Sequence, residues 1–305
     1  MPPLLVAIKG NALDDGPGIR SVVFFKGCPL SCVWCHNPEA QAQEPELLLD
    51  PGPCLDCHAC IPACPPKAIC LPRALDRRAC TLCFDCVAAC PSGALKRVGH
   101  CRTEESILEE LLRDKVFYDH SGGGVTLSGG EASFQMEAAG RILEGLKAHG
   151  VHTLVETCGA FDLEKFSRRM LPHLDLIYYD LKIMDAATHK KYCGADNGRI
   201  LDNFKQLSLQ ARDASFELVP RTPLVPGITD TKENLMALAR FLKSCGVGEL
   251  TLLPYHPMGM EKWEQLGKKR PKLSPKLAQN LTQWLDKDRL AKARATLNNS
   301  GIQTL

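Results

Sequence analysis

Thirteen of the chain's 16 cysteines fall between Cys28 and Cys101, and their spacing is regular. Cys54-x2-Cys57-x2-Cys60-x3-Cys64 is followed by Pro65, and Cys80-x2-Cys83-x2-Cys86-x3-Cys90 by Pro91. A cubane iron–sulfur cluster needs four thiolates. This run supplies them twice, and in such paired runs the fourth cysteine of each ligates the other cluster. The spacing therefore assigns Cys54, Cys57, Cys60 and Cys90 to one cluster, and Cys64, Cys80, Cys83 and Cys86 to a second. Zinc sites built from the C-x2-C pairs are the competing reading. The identical repeat, proline included, weighs against them.

A third group, Cys28-x3-Cys32-x2-Cys35, directly follows an apolar run, Ser21-Val22-Val23-Phe24-Phe25. Three thiolates can hold three irons of a cubane and leave the fourth iron without a protein ligand. An open coordination position marks a catalytic metal more than a structural one. A zinc loop completed by His36 remains the alternative. Cys70, Cys101, Cys158, Cys193 and Cys245 read as bystanders or small buried hydrophobes.

Other polar residues cluster where apolar runs end. Ser128-Gly129-Gly130-Glu131 follows Val125–Leu127. Two glycines let backbone approach a ligand, and a carboxylate can meet an ammonium group, although a simple turn would look the same. In Tyr178-Tyr179-Asp180-Leu181-Lys182, strand alternation puts Asp180 and Lys182 on one side, as ligand contacts or as a plain ion pair. Arg221 divides evenly between a substrate-site contact and a structural ion pair. A lone His256 is more often structural than catalytic. The basic stretch from Lys262 to Lys272, with Lys268, Lys269 and Arg270, reads as solvated surface.

These groups need elements to hold them. Short apolar runs at Val125–Leu127, Thr153–Val155, Leu176–Tyr179, Phe216–Val219 and Leu250–Leu253 read as buried strands. Helical stretches near 134–149, 162–171, 198–212, 230–244 and 275–288 alternate with them, and Thr103 caps another. Continuous apolar strands alternating with helices predict a parallel sheet, either doubly wound or a partial barrel, with function at the strands' C-terminal ends. The boundaries predicted are a discontinuous core of 1–47 and 98–305, and a Cys/Pro-rich insert of 48–97.

The chain has 305 residues, enough for a full core, and carries 37 Lys+Arg against 35 Asp+Glu. That balance offers no field for nucleic acid or an acidic membrane surface. No run approaches the roughly 18 apolar residues of a membrane span, and the first residues show no signal-peptide pattern. A reducing, cytoplasmic setting is expected, where grouped cysteines bind metal.

Cys28-x3-Cys32-x2-Cys35, with aromatic Trp34 before the last cysteine, resembles the radical S-adenosylmethionine (radical SAM) superfamily. With Asp15-Gly16-Pro17-Gly18-Ile19-Arg20 before it and His36-Asn37-Pro38-Glu39 after it, the chain looks like a glycyl-radical-enzyme activating enzyme. The doubled cysteine run resembles the larger subgroup, which carries a dicluster ferredoxin-like insert. The resemblance implies a partial (β/α)6 barrel of TIM type, SAM and three [4Fe–4S] clusters. It makes Ser128, Gly129, Gly130 and Glu131 the motif for the SAM amino group, and Lys182 a contact to the SAM carboxylate. His256 lies near the SAM ribose and methionine, with Trp34, His36 and Arg221 also lining the cofactor. Glu156, Thr157 and Asp180 would hold a monovalent cation, and Asp15, Gly16, Pro17 and Gly18 would meet the partner's glycyl loop. Two departures stand out: Ala132 follows the Gly-Gly-Glu motif where many relatives have proline, and Glu156 replaces an aspartate found in some. The implied partners are a glycyl radical enzyme and flavodoxin or ferredoxin as electron donor, with the chain a monomer. A radical SAM enzyme acting on a small molecule, and a three-cluster electron carrier, are the other two function classes open at this stage.

Overall fold

A computed structural model describes residues 2–269 and 272–305. The chain opens with β1 (Leu4–Ala12), which pairs antiparallel with β2 (Arg20–Phe25), Ile8 lying opposite Val23. It then leaves the sheet. β3 (Glu46–Leu49) and β4 (Leu95–Val98) form their own antiparallel pair, Leu49 opposite Leu95, and α1 (Asp85–Ala88) lies between them. Leu47, Ala68, Ile69 and Leu95 make a small second core with Cys64 and Cys86. β5 (His100–Cys101) returns the chain to the edge of the main sheet beside β1.

From there strands and helices alternate. α2 (Glu104–Leu112) and α3 (Lys115–Ser121) lead to β6 (Gly124–Gly129). α4 (Met136–Ala148), β7 (His152–Thr157), α5 (Leu163–Arg169) and β8 (Leu176–Asp180) follow. Next come α6 (Ala186–Cys193), α7 (Gly198–Gln210), β9 (Glu217–Leu224), α8 (Lys232–Ser244) and β10 (Glu249–Pro254). α9 (Met260–Gln265), α10 (Pro275–Asn280), α11 (Lys287–Asn299) and β11 (Gln303–Thr304) end the chain. The sheet order is β11-β10-β9-β8-β7-β6-β2-β1-β5, so the sheet does not close: β11 and β5 are its edges. All pairings from β2 to β11 are parallel.

The physical reason is legible in burial. Val23, Val125, Leu127, Leu154, Val155, Ile177 and Tyr179 are wholly buried, as strands covered on both faces require. Thr103, Asp162, Asp185 and Thr231 each accept a backbone N–H at a helix start.

Two expectations shift. The strand expected at Phe216–Val219 instead runs to Leu224, through Pro220 and Pro223, because Arg221 O still accepts Leu181 N at 2.8 Å. The helix expected over 275–288 stops at Asn280, and Asp286 caps a fresh helix, α11. β1, β3, β4, β5, β11, α1, α3, α6 and α9 have no counterpart among the predicted elements. No helix among the described residues is long and apolar enough to cross a membrane.

Candidate active site

The C-terminal end of β2 delivers the three-cysteine loop. Its backbone is held from two sides: Gly27 and Cys28 donate to Ala40 O and Gln41 O, and Ser31 and Val33 donate to Cys193 O and Tyr192 O at the end of α6. Leu30, Val33 and Trp34 are buried around it. The thiols share one electrostatic neighbourhood, and burial pushes the Cys35 thiol up to about 12. Two cysteines read as bystanders are here as well. Cys158 hydrogen-bonds Cys28, which lowers the Cys28 thiol, and Cys193 hydrogen-bonds Cys32.

Glu131 is 1% exposed and lies behind this loop. Its Oε1 accepts from Ser133 Oγ (2.6 Å), Ser133 N (3.3 Å) and Thr157 Oγ1 (2.9 Å), and its Oε2 from Cys158 N (2.7 Å). Each carboxylate oxygen offers about two acceptor positions, so Oε1 is fully used while Oε2, with one bond, keeps a position free for a ligand donor. The two glycines before it answer to the chain itself. A Cβ on Gly130 would lie 2.3 Å from Ala40 O and 2.4 Å from Gly27 O, and one on Gly129, at φ +114°, 2.3 Å from Phe25 N. They are glycine because β6 and the cysteine loop touch there.

A polar row crosses the ends of β6 to β9. Ser128 Oγ donates to Glu156 Oε2 at 2.6 Å. Arg221 Nη1 donates to Glu156 Oε1 at 2.6 Å, and its Nε and Nη2 donate to Asp180 Oδ1 at 3.1 and 3.0 Å. Lys182 Nζ lies 3.2 Å from Asp180 Oδ2. Burial opposes the charge on Lys182, but Asp180 and then the thiols of Cys32, Cys158 and Cys193 outweigh it and hold the ammonium above its usual range. Lys182 thus lies beside the cysteine loop.

Two expectations fall on this row. In this structure a guanidinium joins Glu156 to Asp180, and Thr157 turns to Glu131. No group of three or more His, Cys, Asp or Glu among the described residues is arranged to hold a single metal ion. Arg221, expected to line the cofactor, is 7% exposed and spends its polar face on these two carboxylates while its plane lies 4.6 Å from the Tyr178 ring.

Across the loop, aromatic rings stack. His36 and His256 lie 3.9 Å apart at 19°, flanked by Tyr255 at 5.4 Å from His36 and Trp284 at 5.5 Å from His256. Burial, then His256, pushes His36 down to about 4. The buried His36 Nε2 and His256 Nδ1 find no hydrogen-bond partner among the described residues. Buried polar atoms without partners call for a bound polar group, so the stack fits a ligand with donors or acceptors such as SAM.

The Asp15–Gly18 loop folds against β6. Thr126 Oγ1 donates to Asp15 O at 2.7 Å, and Arg20 Nη1 to Pro17 O at 3.2 Å. Burial, then Glu156, raises the Asp15 carboxyl, so this loop reaches the Glu156–Arg221 pair. Gly18, at φ +67°, packs on Gly123 N, where a Cβ would come within 2.4 Å. Here again the glycine serves the chain's own contact.

The insert cysteines ring two cavities. One is lined by Cys54, Cys57, Cys60 and Cys90, the other by Cys64, Cys80, Cys83 and Cys86, with Ile69 and Leu75 lining both. The two runs repeat each other's backbone. Asp56 and Leu82 have φ of 51° and 56°, and His58 and Phe84 have 62° and 66°. Non-glycine residues held there cost of order 1–3 kcal/mol each and persist at functional sites. Four thiols around an apolar hollow, on a backbone strained twice in the same way, fit a cubane cluster in each cavity.

The basic stretch departs from expectation in part: Lys269 and Lys272 are exposed, but Lys262 and Lys268 are ion-paired to Glu39 and Glu46, and Trp263 is buried with Nε1 3.4 Å from Cys35 O. Arg270 lies outside the described residues.

The chain matches the model of the radical SAM superfamily over residues 22–242. It is 42% identical over 275 residues to the trans-4-hydroxy-L-proline dehydratase activating enzyme of Clostridioides difficile, covering 88% of this chain and 89% of that one. It is 39% identical over 291 residues to the isethionate sulfite-lyase activating enzyme of Desulfovibrio desulfuricans (93% and 92%). Against the pyruvate formate-lyase 2-activating enzyme of Escherichia coli the figure is 35% over 264 residues (86% and 80%). A radical SAM methyltransferase from Sphaerobacter thermophilus shares the fold, with a TM-score of 0.53 over 99% of this chain and 76% of that one at 12% identity. Motif, sheet and relatives agree: the chain belongs to the radical SAM superfamily and, within it, to the activating enzymes of glycyl radical enzymes.

Proposed function

We propose that this activating enzyme uses three [4Fe–4S] clusters to install a glycyl radical on a partner that is a dehydratase, lyase or decarboxylase, the classes named in its relatives. The observation that carries the reading is the gathering of Cys28, Cys32 and Cys35 beside Lys182, with the unpartnered nitrogens of His36 and His256 across the loop. Cys28, Cys32 and Cys35 would hold the cluster, which when bound would supply the one electron that breaks the sulfonium C5′–S bond of SAM, releasing methionine and the hydrogen-abstracting group that would take a hydrogen atom from a glycine Cα of the partner.

The chain's own residues bind, orient and exclude water. Lys182, held as an ammonium by Asp180, meets the SAM carboxylate. The Gly129-Gly130-Glu131 turn receives the amino group. His256 and His36 contact the ribose and methionine side, and Trp34 closes the loop on the buried side. Asp15 to Gly18 face the partner's glycyl loop. The six parallel strands β2 and β6 to β10 form the partial (β/α)6 barrel, and residues 48–97 form a ferredoxin-like insert. Its clusters use Cys54, Cys57, Cys60 and Cys90, and Cys64, Cys80, Cys83 and Cys86. In a monomeric, cytoplasmic enzyme they either pass electrons from flavodoxin or ferredoxin to the SAM cluster or serve to dock the partner and stabilise the fold.

The test is to mix anaerobically reconstituted, reduced protein and SAM with glycyl radical enzymes of these classes and record the organic radical by electron paramagnetic resonance (EPR). A glycyl doublet on one partner, absent when its glycine is replaced by alanine, is the expected result. A free small-molecule product with no protein radical would instead support a small-molecule substrate.

A further inference from the structure

The segment that follows the third cluster cysteine is held by residues far away in sequence. Lys262 Nζ donates to His36 O (3.2 Å), Asn37 Oδ1 (3.1 Å) and Glu39 Oε1 (2.5 Å). Lys268 Nζ donates to Pro38 O (2.8 Å) and pairs with Glu46 (2.9 Å). Trp263 Nε1 donates to Cys35 O at 3.4 Å, and Gly259 presses on the segment, where a Cβ would come within 2.6 Å of His36 Cα. From the sheet side, the wholly buried Lys26 donates to Glu39 O (2.6 Å) and Glu46 Oε2 (2.7 Å). Three ammonium groups thus fix consecutive acceptors from His36 to Glu39, two of them carried by α9 and the turn after it.

The same short element is tied to the insert. Arg77 Nη2 donates to Gln265 O at 2.7 Å, at the end of α9, and Nη1 to Leu47 O in β3 at 2.8 Å. Gly267, at φ +64°, abuts it, and a Cβ there would come within 2.1 Å of Arg77 Nε. Glu46 in β3 closes the loop by pairing with both Lys26 and Lys268.

We propose that α9 and its following turn form a strut that couples the insert to the SAM-cluster loop, with Lys262 and Lys268 as positioning residues for Cys35 and Arg77 as the insert's end of the strut. Hydrogen-bonded residues behind a metal ligand set its orientation, and losing one typically costs ~10–100-fold in affinity or activity. A cluster cysteine whose carbonyl and next four residues are pinned cannot drift when the open iron takes a ligand. Because the pins come from an element that the insert also grips, a disturbance at Arg77 must be felt at Cys35. The inference rests on the function proposed above for the cofactor readout, but its exchange readout does not.

The experiment compares reconstituted wild type with Lys262→Gln, Lys262→Arg, Lys268→Gln and Arg77→Gln. Two readouts are taken: hydrogen exchange of residues 27–41, and SAM affinity from the SAM-induced change in the cluster EPR signal. Lys262→Gln and Lys268→Gln are expected to speed exchange across 27–41 and to weaken SAM binding about tenfold or more, with Lys262→Arg restoring most of both. Arg77→Gln is expected to speed exchange in 27–41 although it contacts none of those residues. Exchange changes in Arg77→Gln confined to 46–49 and 260–267 would overturn the coupling. Wild-type exchange and SAM affinity in both lysine variants would overturn the positioning role. If a variant fails to retain iron, exchange in the remaining ones still decides. A wild-type EPR signal indifferent to SAM would count against the proposed function, leaving the exchange comparison to judge the strut.

Discussion

Arg221 joins Asp180 and Glu156: its Nη2 lies 3.0 Å from Asp180 Oδ1 and its Nη1 2.6 Å from Glu156 Oε1. Two carboxylates from neighbouring strands are thereby neutralised from one side, which leaves Asp180 Oδ2 to hold Lys182 in its charged form. The strand ends stay together because a guanidinium offers several donors in a fixed plane.

Removing that guanidinium strands two largely buried carboxylates. Arg221→Gln is expected to destabilise the protein by about 3–5 kcal/mol, as for a broken buried pair. Arg221→Lys should recover only part, since an ammonium is a single point of charge. Thermal unfolding of the three proteins checks this. Equal midpoints for Arg221→Gln and wild type would contradict the pairing.

Gly130→Ala should be severe for a reason unrelated to any ligand. Its Cβ would press on Ala40 O and Gly27 O, both backbone. The cysteine loop would have to move, costing about 1–3 kcal/mol of overpacking and disturbing the cluster it holds. Iron content and unfolding midpoint should both fall.

How the site could be read from sequence depended on what kind of signal carried it. Cysteine spacing is a local pattern with a fixed chemical demand, so Cys28, Cys32, Cys35 and both insert runs were visible at once. The crossing of Cys64 and Cys90 between the runs follows the same rule, and the cavities are lined accordingly. Asp180 and Lys182 were visible as a pair because strand alternation fixes their side. What lay hidden was pairing between distant segments. Nothing near Lys262 in sequence announces Glu39, and a lysine-rich stretch ordinarily is solvated. Cys158 and Cys193 stand alone in sequence and meet Cys28 and Cys32 only because β7 and α6 end there. The glycine pairs were recognised, but their cause, contact of the chain with itself, needed the packing of β6 on the cysteine loop and of the Asp15 turn on Gly123. In the fold, buried parallel strands gave themselves away by continuous apolar runs. β9 looked shorter than it is because its prolines mimic a strand end.

The crossed ligation proposed here yields a sharp spectroscopic expectation. Cys90→Ala should damage the same cluster as Cys54→Ala, and Cys64→Ala the same cluster as Cys80→Ala. EPR of the four reduced variants should therefore fall into two matching pairs. Pairing Cys90 with Cys80 instead would contradict the cavity assignment.

Cys158 and Cys193 touch cluster cysteines without belonging to the C-x3-C-x2-C set. Cys158→Ala and Cys193→Ala should keep the full iron content, whereas Cys32→Ala should lose one cluster's worth and keep the rest. Iron and sulfide analysis after anaerobic reconstitution distinguishes them. Loss of iron in Cys158→Ala equal to that in Cys32→Ala would make Cys158 a ligand.

The central claim is tested most directly on anaerobically reconstituted, dithionite-reduced protein given SAM, by quantifying 5′-deoxyadenosine and methionine. Formation of both in wild type, with loss of both in Cys32→Ala while the insert clusters remain, is the predicted result. Equal cleavage by Cys32→Ala, or none by wild type holding all three clusters with its partner present, would contradict it.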